Sequence, residues 1–247
     1  MQSPLSFRSI VGRFGGHPAR ELGLDLDSEA GRAGWLLAAA LGVEASDEPG
    51  AAAYRALAAA GLALPATLTS CDPARLARTL EAAGPSGQSG ARKRAERAAA
   101  LLIRIARGLA ERHEGSLERL AAEAGDLSEL GSGLVRLAPG FGPASALRFL
   151  RPLRSRWSAA GEVPLDPAAL AAAGHLGWIP EGADEEGEPA ALAAALRVDP
   201  EAPPLQDVEA ALARLGRAAC RHGRPERCPL EAACPARAAA TQAAADE

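Results

Sequence analysis

The chain has few aromatic and few β-branched residues. Aromatic side chains make up 3% of its 247 residues, and there is a single methionine. The apolar content, 48% of the sequence, consists mostly of Ala and Leu. Ala and Leu favour helix, whereas strands are enriched in the β-branched and aromatic residues that are scarce here. The composition therefore excludes a β-rich fold and predicts an all-α protein that can bury a substantial core.

Long apolar runs are also missing from the sequence. No stretch approaches the roughly 18 consecutive apolar residues that a membrane-spanning helix needs. The N-terminal segment 1–16 contains Arg8 and Arg13 and lacks the apolar centre of a signal peptide. We therefore expect a cytoplasmic monomer with no membrane partner.

Charge is unevenly distributed along the chain. The formal net charge of −4 argues mildly against a nucleic-acid partner, but net charge averages over faces of different sign. A single basic run is most often a solvated helix face. Here three such runs flank motif-like segments, which favours an anionic partner. The basic runs are 92–112, 136–156 and 214–227, and acidic residues concentrate at 184–188 and in the C-terminal tail.

Pro and Gly divide the chain into segments of helical length. Side chains that cap helices precede several of them, notably Ser28, Asp72 and Asp166, and a Pro follows each of the last two. The predicted helices span approximately 28–42, 49–61, 73–83, 91–113, 116–124, 127–137, 144–151, 167–174 and 204–221. Segment 84–90 is predicted as a loop and 181–189 as an acidic linker.

The segment Leu137-Ala-Pro-Gly-Phe-Gly-Pro-Ala-Ser-Ala-Leu147 predicts a tight turn between two helices. Gly140 and Gly142 can adopt positive φ and allow another backbone to come close. The start of the following helix would expose amide groups to which a DNA phosphate can bind without any reading of sequence. Ordinary helical hairpins also use Gly, so the turn alone does not distinguish a DNA-binding element from a simple connection.

Five segments, taken in order, resemble the endonuclease III-type glycosylases of the helix-hairpin-helix superfamily. The resemblance covers roughly Gly34 to Pro235. Its segments are 36–47, 91–115, 137–146, 163–166 and 220–235. It implies a six-helix barrel domain at 28–151 with the hairpin at 137–150, a second helical domain from 1–27 and 152–237 with a cysteine loop at 220–234, and a disordered tail at 238–247.

The resemblance also implies roles for individual residues. The residues expected at double-stranded DNA are Gly140, Phe141, Gly142, Ser145, Arg148, Glu44 and Gln88. Glu44 stands where the family has a base-stacking Gln, and its carboxylate would be repelled by phosphates. Gln88 could insert into the duplex from the loop 84–90. Asp166 corresponds to the catalytic aspartate, which activates water or stabilises positive charge on the departing sugar.

Departures from the family pattern affect the chemistry. Ala144 occupies the position of the lysine that forms a Schiff base in bifunctional members, so lyase activity is not expected. Pro167 and Ala168 replace a Thr-His pair beside Asp166, which can equally be a plain helix cap. The resemblance implies a monofunctional DNA glycosylase acting on a flipped base. Two alternatives remain: a paralogue that binds DNA without cleaving it, and a helical protein that binds no DNA.

Three of the four cysteines, Cys220, Cys228 and Cys234, are clustered near the C-terminus. In a reducing compartment such clustering favours a metal site over disulfides. The family binds a [4Fe-4S] cluster through four cysteines, of which the second is missing here, and His222 is a possible fourth ligand. A cluster, a zinc site and a segment of free thiols remain as alternatives. Cys71 is expected to be a buried small residue.

Overall fold

The computed structural model describes residues 5–44, 48–84, 89–180, 187–220, 228–230 and 234–235. Over these ranges the chain is helical, with two short 3₁₀ segments and no strand, so the prediction of an all-α protein is confirmed. In chain order the α-helices are α1 Phe7–Phe14, α2 Pro18–Glu21, α3 Glu29–Ala40, α4 Pro49–Ala59, α5 Pro65–Leu68, α6 Pro73–Ala82, α7 Ala91–His113, α8 Leu117–Glu123, α9 Leu127–Leu137, α10 Pro143–Leu150, α11 Pro167–His175, α12 Gly187–Val198 and α13 Leu205–Ala218.

The chain forms two compact units. Residues 18–163 make up the first, here called the hairpin unit, and residues 1–17 with 164–247 make up the second, called the terminal unit. Each unit has its own apolar core among the described residues. Within those residues, no helix has both the length and the hydropathy that crossing a membrane requires.

Helix α7 is the central helix of the hairpin unit. Its buried face includes Leu102, Ile105 and Leu109, which recur at the three- and four-residue spacing of an amphipathic helix. Helices α5, α6 and α9 pack against it. The helix ends where Glu114 and Gly115 adopt positive φ of 54° and 81°. Its observed bounds are those predicted from the sequence.

Several helices begin at the capping residues that the sequence indicates. Ser28 Oγ accepts a hydrogen bond from Gly31 N at 3.0 Å at the start of α3. Asp72 accepts bonds from Ala74 N and Arg75 N at the start of α6. Such side chains satisfy amide groups that have no partner within the first turn of a helix.

Four of the described α-helices lie outside the predicted segments, namely α1, α2, α5 and α12. Helix α1 occupies a stretch that we did not assign, although Ser6 caps it by accepting a bond from Ser9 N at 3.1 Å. The prediction of an acidic linker over 181–189 is wrong at its end, because α12 begins at Gly187. Pro189 is compatible with this helix because the first turn needs no amide donors there. Residues 181–186 lie outside the described ranges.

In the terminal unit, α13 packs against α1 and α11. Asp207, which is buried, accepts a hydrogen bond from His17 N at 2.8 Å. Arg214 Nη1 donates to Phe14 O at 2.6 Å. These two hydrogen bonds hold the N-terminal segment against α13, although the two are distant in sequence.

Candidate nucleic-acid interface

Residues 138–142, here called the hairpin turn, connect α9 to α10. Gly140 has φ of +100°, a value that side chains other than Gly rarely allow. Phe141 N donates to Ala138 O at 3.0 Å, which closes the turn. The Phe141 side chain is only 1% exposed, whereas Gly140 is exposed. Phe141 therefore anchors the turn in the core, and its buried side chain is not available for the contact with DNA that the resemblance implies.

The first turn of α10 leaves backbone amide groups without protein acceptors. Gly142 is the N-cap, and it offers no side chain to accept a hydrogen bond. The N–H groups of Ser145 and Ala146 donate to Gly142 O at 3.0 and 3.1 Å. Within the described part of the chain, the N–H groups of Gly142 and Ala144 have no acceptor. Ala144 is exposed, so an anion from solvent can reach these donors at the positive end of the helix dipole.

Helix α7 supports the hairpin turn from one side. Arg104 Nη2 donates to Pro139 O at 3.2 Å. A Cβ atom on Gly108 would lie 2.1 Å from Leu137 O, so only Gly allows α7 to approach the end of α9 this closely. A Cβ atom on Gly140 would lie 3.6 Å from the Leu101 side chain. The turn is therefore packed closely against α7.

Two predicted DNA-binding residues, Arg148 and Glu44, form an ion pair with each other. Arg148 Nη2 lies 2.6 Å from Glu44 Oε1, and the two side chains are 22% and 30% exposed. Arg148 Nη1 also donates to Ala39 O at 3.3 Å. The Glu44 carboxylate therefore pairs with the Arg148 guanidinium, which the sequence analysis predicts to contact a DNA phosphate. No local spacing signals this pair, because its members are 104 positions apart.

Other arginines in the basic run 136–156 also make contacts inside the hairpin unit. Arg154 Nε donates to Val163 O at 2.6 Å. Arg156 pairs with Asp27. An arginine that neutralises a carboxylate or binds a carbonyl contributes less positive potential than its count in the sequence indicates. Much of this run is therefore structural.

Asp166, the predicted catalytic residue, caps α11 in the terminal unit. Its Oδ1 accepts a hydrogen bond from Ala168 N at 2.9 Å. Its Oδ2 lies 3.1 Å from Arg217 Nη1, and the Asp166 side chain is 13% exposed. The backbone N–H of Asp166 donates to the buried Glu209 at 2.8 Å. The capping role proposed for Asp166 is thus confirmed, and both carboxylate oxygens have protein partners.

Helices α11 and α13 come into close contact beside Asp166. A Cβ atom on Gly216 would lie 1.8 Å from Ala168 O. The contact places Arg217, the next residue on α13, within reach of the Asp166 carboxylate. Sequence reasoning missed Arg217 and Glu209 because their partner lies far away in the chain.

The three clustered cysteines share the core of the terminal unit. Cys228 and Cys234 are buried, and Cys220 is half-buried against the same core. Burial, together with the nearby Cys228 and Cys234 thiols, raises the pKa of Cys220 to about 11. Arg13 of α1 donates to the Pro229 carbonyl within this segment.

The fit of a metal to these cysteines is partial. Thiol donors suit an iron–sulfur cluster. However, no three Cys, His, Asp or Glu side chains of the described residues converge as ligands of one metal ion. His222, the possible fourth ligand, lies outside the described residues, as do Gln88 and the tail 238–247.

A polar pair near the hairpin helices was not expected from the sequence. His113 Nδ1 lies 2.8 Å from Glu123 Oε2, and Arg119 Nε donates to the other Glu123 oxygen at 2.9 Å. The hydrogen bonds from Arg119 and His113 lower the pKa of the Glu123 carboxyl. His113 and Glu123 line a cleft that Ser132 and Arg136 of α9 complete. The pair joins the end of α7 to α8.

Comparisons with known proteins give no relative. No protein-family model, curated protein or solved structure matches this chain. The resemblance to endonuclease III-type glycosylases therefore stays a prediction from the sequence.

Proposed function

We propose that this protein binds double-stranded DNA through the hairpin turn and the N-terminus of α10, with the fold of a helix-hairpin-helix glycosylase. The observation that carries the proposal is the pair of amide donors without an acceptor among the described residues, Gly142 N and Ala144 N, at the positive end of a helix. Backbone amides at a helix start are suited to phosphate oxygens. Such contacts position a duplex without reading its sequence.

We further propose that the DNA is held without excision of a base. Ala144 provides no amine for a Schiff base. Both oxygens of Asp166 are engaged, with Ala168 N and with Arg217. A carboxylate in these contacts is already satisfied as a helix cap and as an ion-pair partner. The binding-only paralogue is therefore the account that the contacts support best.

The second candidate function is hydrolytic release of a damaged or mispaired base by Asp166. What favours it is that Asp166 stands at the position that the resemblance, through the segment 163–166, gives to the catalytic aspartate. In this candidate the enzyme is monofunctional and has no lysine-dependent lyase step.

The binding proposal can be tested by Gly142→Asp. A Cβ atom at Gly142 meets no other atom within 4 Å, and its φ of −85° suits any residue. Asp is a better N-cap than Gly by a few tenths of a kcal/mol, so the variant should be at least as stable as wild type. Its carboxylate would take the free amides and repel phosphates. We expect duplex affinity to fall about 10-fold or more.

A matched control is Gly131→Glu in the middle of α9. It adds the same charge to the hairpin unit, and a Cβ atom there also meets nothing within 4 Å. It should reduce affinity far less than Gly142→Asp. Equal binding by wild type and Gly142→Asp would show that the hairpin turn is not the DNA-binding element.

Single-turnover base release separates the two candidate functions. Wild type and Asp166→Asn would be compared on a panel of damaged and mismatched duplexes. We expect both to bind the duplexes and neither to release a base. Release by wild type that is lost in Asp166→Asn would establish the glycosylase and refute the binding-only account.

A further inference from the structure

One face of α7 carries four basic side chains. Lys93, Arg97, Arg104 and Arg107 are separated by four, seven and three positions, spacings that return to the same face of an α-helix. All four are exposed. We call these four residues the basic stripe. From Lys93 to Arg107 the stripe extends about 21 Å, at 1.5 Å per residue.

The stripe differs from the other arginines of α7 in its contacts. Arg92 pairs with Glu96 at 2.9 Å, and Arg112 donates to Arg136 O. By contrast, Lys93, Arg97 and Arg107 make no ion pair or hydrogen bond with the described part of the chain. Glu111, one turn beyond Arg107, ends the run of positive charge on this face. Three of the four stripe residues thus have charged groups that form no ion pair within the described part of the chain.

The stripe passes directly beside the hairpin turn. Arg104, its third member, donates to Pro139 O at 3.2 Å. The exposed Gly140 lies against Leu101, next to Arg104 on α7. The amide donors of α10 and the charges of α7 are therefore parts of one surface of the hairpin unit. A polyanion bound at the turn would meet the stripe as well.

We infer that the basic stripe binds the phosphate backbone of duplex DNA on one side of the hairpin turn. The inference rests on the proposed function and adds a second contact region to it. Duplex DNA rises 3.4 Å per phosphate of one strand, so a stripe of about 21 Å matches the length of about six base pairs. Lysine and arginine side chains contribute to such contacts through counterion release, without sequence preference.

The test is the salt dependence of binding to an undamaged, mixed-sequence duplex. The stripe variant is Arg97→Gln/Arg107→Gln, because both side chains are exposed and neither makes a hydrogen bond or ion pair with a described residue, so the fold should be unaffected. Loss of two phosphate contacts should reduce the slope of log K against log salt by about 1.8. At 0.1 M salt the affinity should fall by about 10-fold to 60-fold.

The control variant is Arg92→Gln/Arg119→Gln. It removes the same charge from the same unit, but both arginines are exposed and paired with Glu side chains. Its salt slope should stay at the wild-type value. An equal loss of slope in stripe and control variants would mean that the effect is one of total charge, which overturns the inference.

Gly142→Asp, measured in the same titration, separates this inference from the proposed function. If Gly142→Asp loses binding and the stripe variant keeps the wild-type slope, the inference fails and the hairpin proposal stands. If the stripe variant loses slope and Gly142→Asp binds normally, the hairpin proposal fails instead. If wild type shows no salt-dependent binding to duplex DNA, both are overturned.

Discussion

At the residue scale, the ion pair between Arg148 and Glu44 affects how the proposed DNA-binding surface could contact a phosphate. The guanidinium of Arg148 can pair with a carboxylate or with a phosphate through the same donors. At 2.6 Å from Glu44, it is occupied by the carboxylate. Binding of DNA through Arg148 would require a phosphate to replace Glu44. The pair therefore sets how much this arginine contributes to affinity.

We predict that Glu44→Gln strengthens duplex binding. The substitution removes a negative charge from the surface and releases Arg148 to contact a phosphate. One additional phosphate contact steepens the salt slope by about 0.9 and raises affinity at 0.1 M salt up to about 8-fold. Fluorescence anisotropy with a labelled duplex, titrated at several salt concentrations, measures both quantities.

A double-mutant cycle identifies the source of this gain. In an Arg148→Gln background, Glu44→Gln has no arginine to release, so the steeper slope should disappear. A gain of the same size in both backgrounds would assign it to the lost repulsion of Glu44 alone and would contradict the release of Arg148.

What could be predicted for single residues depended on sequence distance. The caps Asp72 and Asp166 act on amides two or three positions away, so local pattern was enough. Local pattern could not predict the partners of these residues that lie far away in the chain. Arg217 reaches Asp166 from 51 positions away, and nothing near either residue indicates the other. Long-range ion pairs depend on the packing of helices, which local spacing does not encode.

At the element scale, α7 could be predicted from its sequence pattern, whereas α12 could not. The apolar residues of α7 alternate with charged ones at helical spacing, so its bounds could be predicted. Five of the 12 residues of α12 are Ala, Leu192 is its buried residue, and its faces differ little in polarity. Its Gly, Glu and Pro residues at the start were typical of a linker. Propensity alone would have favoured helix there.

The contact between α7 and α9 gives a prediction for stability. Gly108→Ala places a Cβ atom 2.1 Å from Leu137 O, so the two helices must move apart. Overpacking of this kind costs about 1–3 kcal/mol of unfolding free energy. Because Leu137 adjoins the hairpin turn, we also expect weaker DNA binding. Denaturant unfolding and duplex titration measure the two effects.

Gly131→Ala is the control for the helix-propensity part of this change. A Cβ atom at Gly131 in α9 meets no atom within 4 Å. Ala is favoured over Gly in a helix interior by about 0.5–1 kcal/mol, so this variant should be more stable than wild type. If Gly108→Ala were also stabilising, the close approach of α7 to Leu137 would not constrain the fold.

The cysteine segment, residues 220–234, gives a prediction for metal content. We propose that it binds an iron–sulfur cluster, since Cys220, Cys228 and Cys234 share one core. Protein purified without oxygen should then contain iron and acid-labile sulfide, and Cys228→Ser should lose both. Metal analysis showing zinc in place of iron would favour the zinc site. Absence of any metal would leave the three residues as free thiols.

At the scale of the whole molecule, the net charge averages over two units that differ in charge. The hairpin unit contains 18 Arg and Lys against 17 Asp and Glu, a formal charge of +1. The remaining residues contain 9 basic and 14 acidic side chains, a charge of −5, which accounts for the total of −4. The total therefore says little about the surface around the hairpin turn. The formal charge of the hairpin unit could be counted only once the structure had given the boundaries of the two units.

The final prediction follows from this division. Residues 18–163 expressed alone should fold, because their core, which includes Trp35, Leu102 and Phe149, lies wholly within the unit. The fragment keeps the hairpin turn and the basic stripe and loses the acidic remainder of the chain. It should therefore bind duplex DNA at least as tightly as the full chain, with a similar salt slope. Circular dichroism and duplex titration measure folding and binding.

Gly142→Asp introduced into the fragment checks that the same surface is used. It should weaken binding by the fragment as much as binding by the full chain, because the amide donors at the start of α10 are identical in both. A fragment that is helical and unfolds cooperatively but does not bind DNA would show that residues outside 18–163 supply essential contacts. The DNA-binding surface would then have to include the terminal unit, where Arg217 and Asp166 lie.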